Sequence, residues 1–224
     1  MINGSDLRIG RELLKDQAVV VLRDAIIGGR IPPGSKLVER DAAQMLGTSR
    51  VPARDALLAL EREGLLVNRG GTRYVIDVSE RDLKDLYSVR YSLEALAGEL
   101  ACLRLTESSD RLGECSGLVD QLHRMQKAIQ NRDQVEYRKS DFQFHRALWV
   151  LSDNQLLVRL LESAMGSIYM MIVYNSRTVE NWQQTVESHR AIADAICQAD
   201  QERAVRNIRK HLDDVFAHLI DNRR

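Results

Sequence analysis

The chain has 224 residues, enough for one large or two small domains. Hydrophobic residues make up 44% and charged residues 29%, an ordinary soluble globular mix, and the net charge of zero argues against a wholly basic, nucleic-acid-coating protein while permitting a small DNA-reading face. Cys102, Cys115 and Cys197 are odd in number with no CxxC pair, which fits a reducing cytoplasm, and neither a secretory signal core nor a bilayer-length apolar run is visible.

The first predicted element is a helix over about residues 11–29, with Leu14, Ala18, Val21, Leu22, Ala25 and Ile26 at helical spacing and Gly28-Gly29 as its stop. Ile31-Pro32-Pro33-Gly34 reads as a turn. A short helix at about 39–46 ends at Gly47, and Ser49 is positioned to cap another at about 50–63, with Pro52 in its first turn. Leu65–Arg69 and Thr72–Val78 read as strands joined by Gly70-Gly71. This order is a winged helix-turn-helix over residues 1–78, with the close pair around Gly47-Thr48-Ser49 at its centre.

After Ser79 no strand pattern recurs, and Pro52 is the last proline. Six helices are expected, at about 80–104, 107–130, 133–151, 153–174, 179–198 and 201–222, capped by Thr106, Asp133, Ser152, Thr178 and Asp200. The fold class is therefore mainly α: a winged helix-turn-helix followed by an all-α six-helix bundle over 79–224.

In a helix-turn-helix the second helix enters the major groove by its N-terminal residues. That rule selects Ser49, Arg50, Val51 and Arg54 for base edges or phosphates, with Arg40 facing the DNA backbone. Arg69, Gly70, Gly71, Thr72 and Arg73 would form the wing. Arginine offers guanine or phosphate a two-pronged donor. Each arginine taken alone also reads as part of a solvated helix face.

The last third holds a second candidate site. Asp141 and His145 lie i, i+4 in DFQFHRALWVL and share a helix face, while His189 and His211 each sit in a separate helical run. His145 falls on a stripe with Phe142, Leu148 and Trp149, His189 near Val186, Ala193 and Ile196, and His211 near Ala204, Ile208 and Val215. Three inward imidazoles and a carboxylate form a divalent-metal set. Any one of these histidines read singly is a satisfied core residue. Arg90 falls within the predicted stripe Leu83, Leu86, Leu93, Leu96, Leu100, and a buried guanidinium needs an anion. Glu94, one turn on, is one source, and a carboxylate ligand is the other.

The stretch LVERDAAQMLGTSRVPARDALLALEREGLL resembles the N-terminal domain of the GntR family of bacterial transcription regulators, over about residues 11–77. It departs from that pattern at Val51 (usually threonine), Ala53 (usually valine) and Asp55 (usually glutamate). Valine can touch a thymine methyl but donates no hydrogen bond, so a different operator preference is expected. Residues 80–224 are similar to the FCD effector domain of the fatty-acid-regulator-like branch, whose Asp-x3-His, His-Arg-x-Ile and later His pattern matches Asp141, His145, His189 and His211.

The resemblance implies a bound divalent ion (zinc, nickel or manganese) and a small carboxylate effector held by Arg90, with Asn207, one turn before His211, also lining the pocket. It further implies a homodimeric repressor on a pseudo-palindromic double-stranded operator. Two rivals accompany this reading. In one, the ion itself is the signal. In the other, an open metal site hydrolyses a substrate. Against the enzyme stands the lack of an additional general base in a motif, of a Gly-rich phosphate loop and of a Ser or Cys nucleophile arrangement.

Overall fold

The computed structural model describes residues 9–175 and 182–221. They divide into two compact units: the described residues up to Ser79 with Gly166–Tyr174, and Glu80–Met165 with the described residues from Asn175 onward.

In the first unit α1 (Ile9–Ile27), α2 (Glu39–Leu46) and α3 (Arg50–Arg62) surround one aliphatic core that includes Leu22, Ile26, Ala53, Ala56, Leu57 and Leu60. The buried face of α1 is Ala18, Val19, Leu22 and Ile26, whereas Leu14 and Val21, expected inside, are about half exposed. Apolar residues occupy every position from 18 to 22, so spacing alone could not choose among them. α2 ends on Gly47 in the left-handed region, and Thr48 N–H returns to the Ala43 carbonyl at 3.0 Å, which closes the turn into α3. Ser49 occupies the N-cap position of α3 in extended conformation without a side-chain cap bond. Ala53 is fully buried.

The wing is a three-stranded antiparallel sheet, ordered β1 (Lys36–Leu37), β3 (Thr72–Val75), β2 (Leu66–Arg69). β1 is two residues long, too short to leave an alternation pattern in the sequence. Arg69 pairs with Thr72, and Gly70 and Gly71 have φ of 59° and 84°, as a two-residue primed turn requires. Asn68 Oδ1 accepts from Gly71 N–H at 2.9 Å and holds the turn. β3 stops at Val75 rather than Val78, with one further bond in the same register from Ile76 N–H to the Leu65 carbonyl at 3.1 Å.

The second unit contains α4 (Glu80–Thr106), α5 (Arg111–Glu114), α6 (Ser116–Asn131), α7 (Gln134–Leu151), the first part of α8 (Gln155–Asn175), α9 (Trp182–Cys197) and α10 (Gln201–Asp221). The helix expected over 107–130 is broken into α5 and α6, giving seven helical elements among the described residues. Local side-chain bonds cause the break. Thr106 ends α4, its hydroxyl donating back to the Cys102 carbonyl, so it does not cap the next helix. Ser108 Oγ accepts from Asp110 N–H, and Asp110 Oδ1 accepts from Gly113 N–H to start α5. Asp133 and Asp200 do cap, accepting from Glu136 and Arg203 N–H at 3.0 Å each. Asn154, rather than Ser152, caps α8, through Leu157 N–H. Thr178 and the expected start of its helix lie outside the described residues.

α4 packs against α10, α7 and α9, and α9 also packs against α6 and α10. The inward face of α4 is Leu83, Tyr87, Arg90, Glu94, Ala97, Gly98, Ala101 and Leu105. Gly98 lets α10 come close: a Cβ there would lie 2.5 Å from Ile208 Cδ1. Of the predicted α4 stripe only Leu83 and Arg90 are buried, and Leu96 is 39% exposed. Among the described residues no helix is long and apolar enough to cross a membrane.

Candidate metal centre and nucleic-acid interface

Four helices of the second unit bring their polar residues to one place. His145 comes from α7, His189 from α9, His211 from α10, and Arg90 with Glu94 from α4. All five are buried. One ring nitrogen from each histidine lies within 4.8 Å of the others. His145 Nε2 and His189 Nε2 are 3.2 Å apart. Asp141 Oδ1, from one turn before His145, lies 3.5 Å from His189 Nε2.

The surrounding acceptors assign the protons. His145 Nδ1 is 2.8 Å from Glu94 Oε2, and His189 Nδ1 is 2.8 Å from the Thr185 carbonyl. Ser188 Oγ gives its own proton to the Thr185 carbonyl, so it accepts from His211 Nδ1 at 2.9 Å. With all three Nδ1 atoms donating outward, a ring in its neutral form keeps its lone pair on Nε2. The Nε2 atom of His189 then has the Nε2 atom of His145 at 3.2 Å and Asp141 Oδ1 at 3.5 Å. A cation among them satisfies all of these acceptors at once, and these donors suit borderline divalent metals. The residues present therefore fit the ion that the fold implies.

Electrostatics point the same way. Burial lowers the His189 imidazole to about 4; Asp141 opposes this and His145 adds to it. Burial also drives His211 well below the usual histidine value, helped by His189 and His145. Both rings are thus neutral at pH 7, the form that ligates metals. Burial disfavours the Glu94 carboxylate, but the charges and hydrogen bonds of Arg90 and His145 outweigh it and hold Glu94 at about 2.

Arg90 is satisfied internally: its Nε donates to Glu94 Oε1 at 2.6 Å. Nη2 is 3.3 Å from His145 Nε2, aimed at the lone pair a metal would take, and Nη1 is 3.5 Å from Tyr87 Oη. Asn207 faces the α9 backbone, donating to the Ala191 carbonyl at 2.8 Å. Sequence reasoning named Glu94 only as a partner for Arg90 and missed its bond to His145. Thr185 and Ser188 were missed entirely. Thr185 acts through its backbone, which no residue type signals, and Ser188 serves a histidine 23 residues away.

In the first unit the candidate DNA contacts are all exposed: Arg40 in the first turn of α2, Ser49, Arg50, Val51 and Arg54 at the start of α3, and Arg69 with Gly70 at the hairpin tip. Arg40 lies beside Asp41, and Arg54 Nε is 3.8 Å from Glu39. Arg69 stands 5.9 Å from the centre of the Tyr74 ring. Arg73 differs from the others: only 13% of its side chain is exposed, and it pairs with Glu61 at 2.7 Å, tying the wing to α3.

A helix-turn-helix with a wing, joined in one chain to an all-helical domain, is the architecture of a transcription regulator. Residues 14–76 match the gntR family of bacterial regulatory proteins and residues 85–214 match the FCD domain; the chain belongs to the GntR regulators that carry an FCD domain. It is 29% identical to the HTH-type transcriptional regulator YdhC of Bacillus subtilis, with 88% of this chain and 87% of that one covered. It is also 29% identical to the Paenarthrobacter nicotinovorans protein named "Probable D-xylose utilization operon transcriptional repressor", over 94% of this chain and 91% of that one. The solved structure of E. coli McbR/YncC shares the fold, with a TM-score of 0.76 at 23% identity, covering 94% of this chain and 99% of that one. The family is one of DNA-binding regulators and the two sequence relatives are named as transcription regulators, which stands against the hydrolase rival.

Proposed function

We propose that the chain is a homodimeric repressor whose affinity for a pseudo-palindromic operator is set by a small carboxylate bound at a divalent metal in the C-terminal unit. The observation that carries this reading is the convergence of three buried imidazole nitrogens within 4.8 Å. Nε2 of His145, His189 and His211, with Asp141, would hold the ion, and Glu94, Thr185 and Ser188 orient the rings. When bound, the ion supplies a Lewis-acidic position for a carboxylate oxygen. Arg90 supplies a second cationic anchor, because its Nη2 is aimed at the same centre.

Homodimerisation has its own support on α4. Leu86, Val89, Leu93, Leu96, Leu100 and Leu103 recur at spacings of three and four along one face outside the core, with Val89, Leu96 and Leu103 exposed at 49%, 39% and 55%. Such a face suits a two-helix pair, and a second copy would present the identical face. In the dimer, Ser49, Arg50, Val51 and Arg54 of each protomer read one half-site, Arg40, Arg69 and Gly70 contact the backbone, and ligand binding alters the spacing of the two readers.

The test is elemental analysis of purified protein, wild type against the His145→Ala/His189→Ala double variant, followed by operator release with small carboxylates. About one divalent ion per chain, lost in the variant, is the expected result. An ion-free wild type after reconstitution with zinc, nickel or manganese would sink the metal assignment. A second reading has one observation in its favour: Arg90 is already paired with Glu94. The ion itself would then be the signal, and operator release by metal alone, without carboxylate, separates the two.

A further inference from the structure

Arg90, Glu94 and His145 form a closed ring of hydrogen bonds that ends on the candidate metal centre. Glu94 Oε1 accepts from Arg90 Nε at 2.6 Å, and Glu94 Oε2 accepts from His145 Nδ1 at 2.8 Å. The guanidinium then meets the same imidazole on its other nitrogen, with Nη2 3.3 Å from His145 Nε2. A guanidinium has no acceptor atom, so this contact runs one way: Nη2 donates and the Nε2 lone pair accepts. Arg90 and His145 are each 1% exposed and Glu94 is 0% exposed, which closes the ring to bulk water.

An imidazole nitrogen offers a single in-plane lone pair. A zinc ion on His145 Nε2 would stand about 2.0–2.1 Å from it. That is inside the 3.3 Å at which Nη2 approaches the same atom. Donor and ion cannot both hold the lone pair, and the guanidinium charge repels a cation placed beside it. We propose that Arg90 is a displaceable stand-in for the metal: its guanidinium holds the His145 lone pair until a divalent cation takes it, so ion entry requires the Nη2 end to swing away. This rests on the metal reading given under Proposed function, and adds that Arg90 opposes the bare ion.

The contacts of Arg90 suit a swing. Nε is tethered to Glu94 by a short bond, whereas Nη1 reaches Tyr87 Oη only at 3.5 Å, the long end of the range. The forked end is therefore the loosely held part of the side chain. Once displaced, Nη2 needs another acceptor, because a buried donor without one is costly. A carboxylate oxygen supplies it. Cation and carboxylate then raise each other's affinity by the same factor, as linkage requires. Arg90 thereby makes the site favour the ion and anion together over the ion alone.

The experiment strips full-length protein with a chelator and measures zinc affinity by competition with a chromophoric chelator. It compares wild type, Glu94→Gln and the Arg90→Met/Glu94→Gln double variant. Glutamine keeps an acceptor for His145 Nδ1 and removes the charge that loss of Arg90 would leave unpaired, so the two variants differ only in Arg90. The double variant should bind zinc more tightly than Glu94→Gln, by roughly ten-fold or more. Equal or weaker binding would overturn the proposal and leave the metal centre standing. Zinc in none of the three proteins would remove both. Excess acetate, a minimal carboxylate, should tighten zinc binding in wild type and not in the double variant; equal tightening in both would overturn the role of Arg90 in the coupling. Should the double variant fail to fold, a crystal structure of the zinc-loaded wild type decides the matter. Nη2 should have left His145 Nε2, and zinc bound with that contact intact would sink the proposal.

Discussion

In the N-terminal unit Arg40, Arg50 and Arg54 stand in solvent around an aliphatic core, whereas in the C-terminal unit Arg90, Glu94, His145, His189 and His211 are part of the core itself. The difference decides how function and stability are linked. A reader residue on the surface interacts mainly with water until DNA arrives, so it can change without unfolding its domain. A buried charged residue is tolerated only while its partners are in place. The C-terminal unit therefore carries its candidate binding groups and part of its folding stability in the same atoms.

The largest expected effect is that of Glu94→Ala. It strands the buried Arg90 guanidinium and removes the acceptor of His145 Nδ1, and breaking such a pair costs about 3–5 kcal/mol. Urea denaturation measures it, and a loss below about 1 kcal/mol would mean that water or rearrangement replaces Glu94. Arg50→Ala should behave in the opposite way. Operator affinity should fall by roughly 1–3 kcal/mol in a titration against labelled DNA, with the denaturation midpoint unmoved. If affinity is unchanged, Arg50 is not a reader.

The acid response sharpens the contrast. His189 titrates at about 4 in the folded protein against 6.5 in the unfolded chain, and His211 is displaced in the same direction. Between these values the unfolded chain binds more protons. Stability of the metal-free protein is thus fully present above 6.5 and is lost as pH falls from 6.5 toward 4. Thermal melts across that window should show the loss, and His189→Gln should flatten it; an equally steep loss in that variant would place the sensitive groups elsewhere. The smallest effect is expected at Arg23, which pairs with Glu63 at 2.6 Å on the surface of the N-terminal unit. Arg23→Ala should cost less than about 1 kcal/mol and should do so less at high salt. A larger cost would show that this pair belongs with the buried ones.

Much of the plan was legible from one sequence because it is written in local signals. The helix-turn-helix depends on a glycine turn between two short helices, the wing on Gly70-Gly71, and the three histidines on placement within separate apolar stripes. The errors also have local causes. On α4 the large leucines drew the core stripe to one face, while the buried face is built from Ala97, Gly98, Ala101 and the Arg90–Glu94 pair. Small residues carry little hydrophobic signal but permit close helix approach, so they mark a tight interface better than they mark hydrophobicity.

Fold class, the helix-turn-helix and the residue types available for metal binding followed from sequence alone, since periodicity, turn residues and spacing act over a few positions. Tertiary structure alone decided that Glu94 orients His145 from 51 residues away, that Ser188 orients His211, and that Arg90 and His145 share one centre. Contacts between distant positions depend on helix crossing and side-chain packing, and no local pattern of residues encodes either.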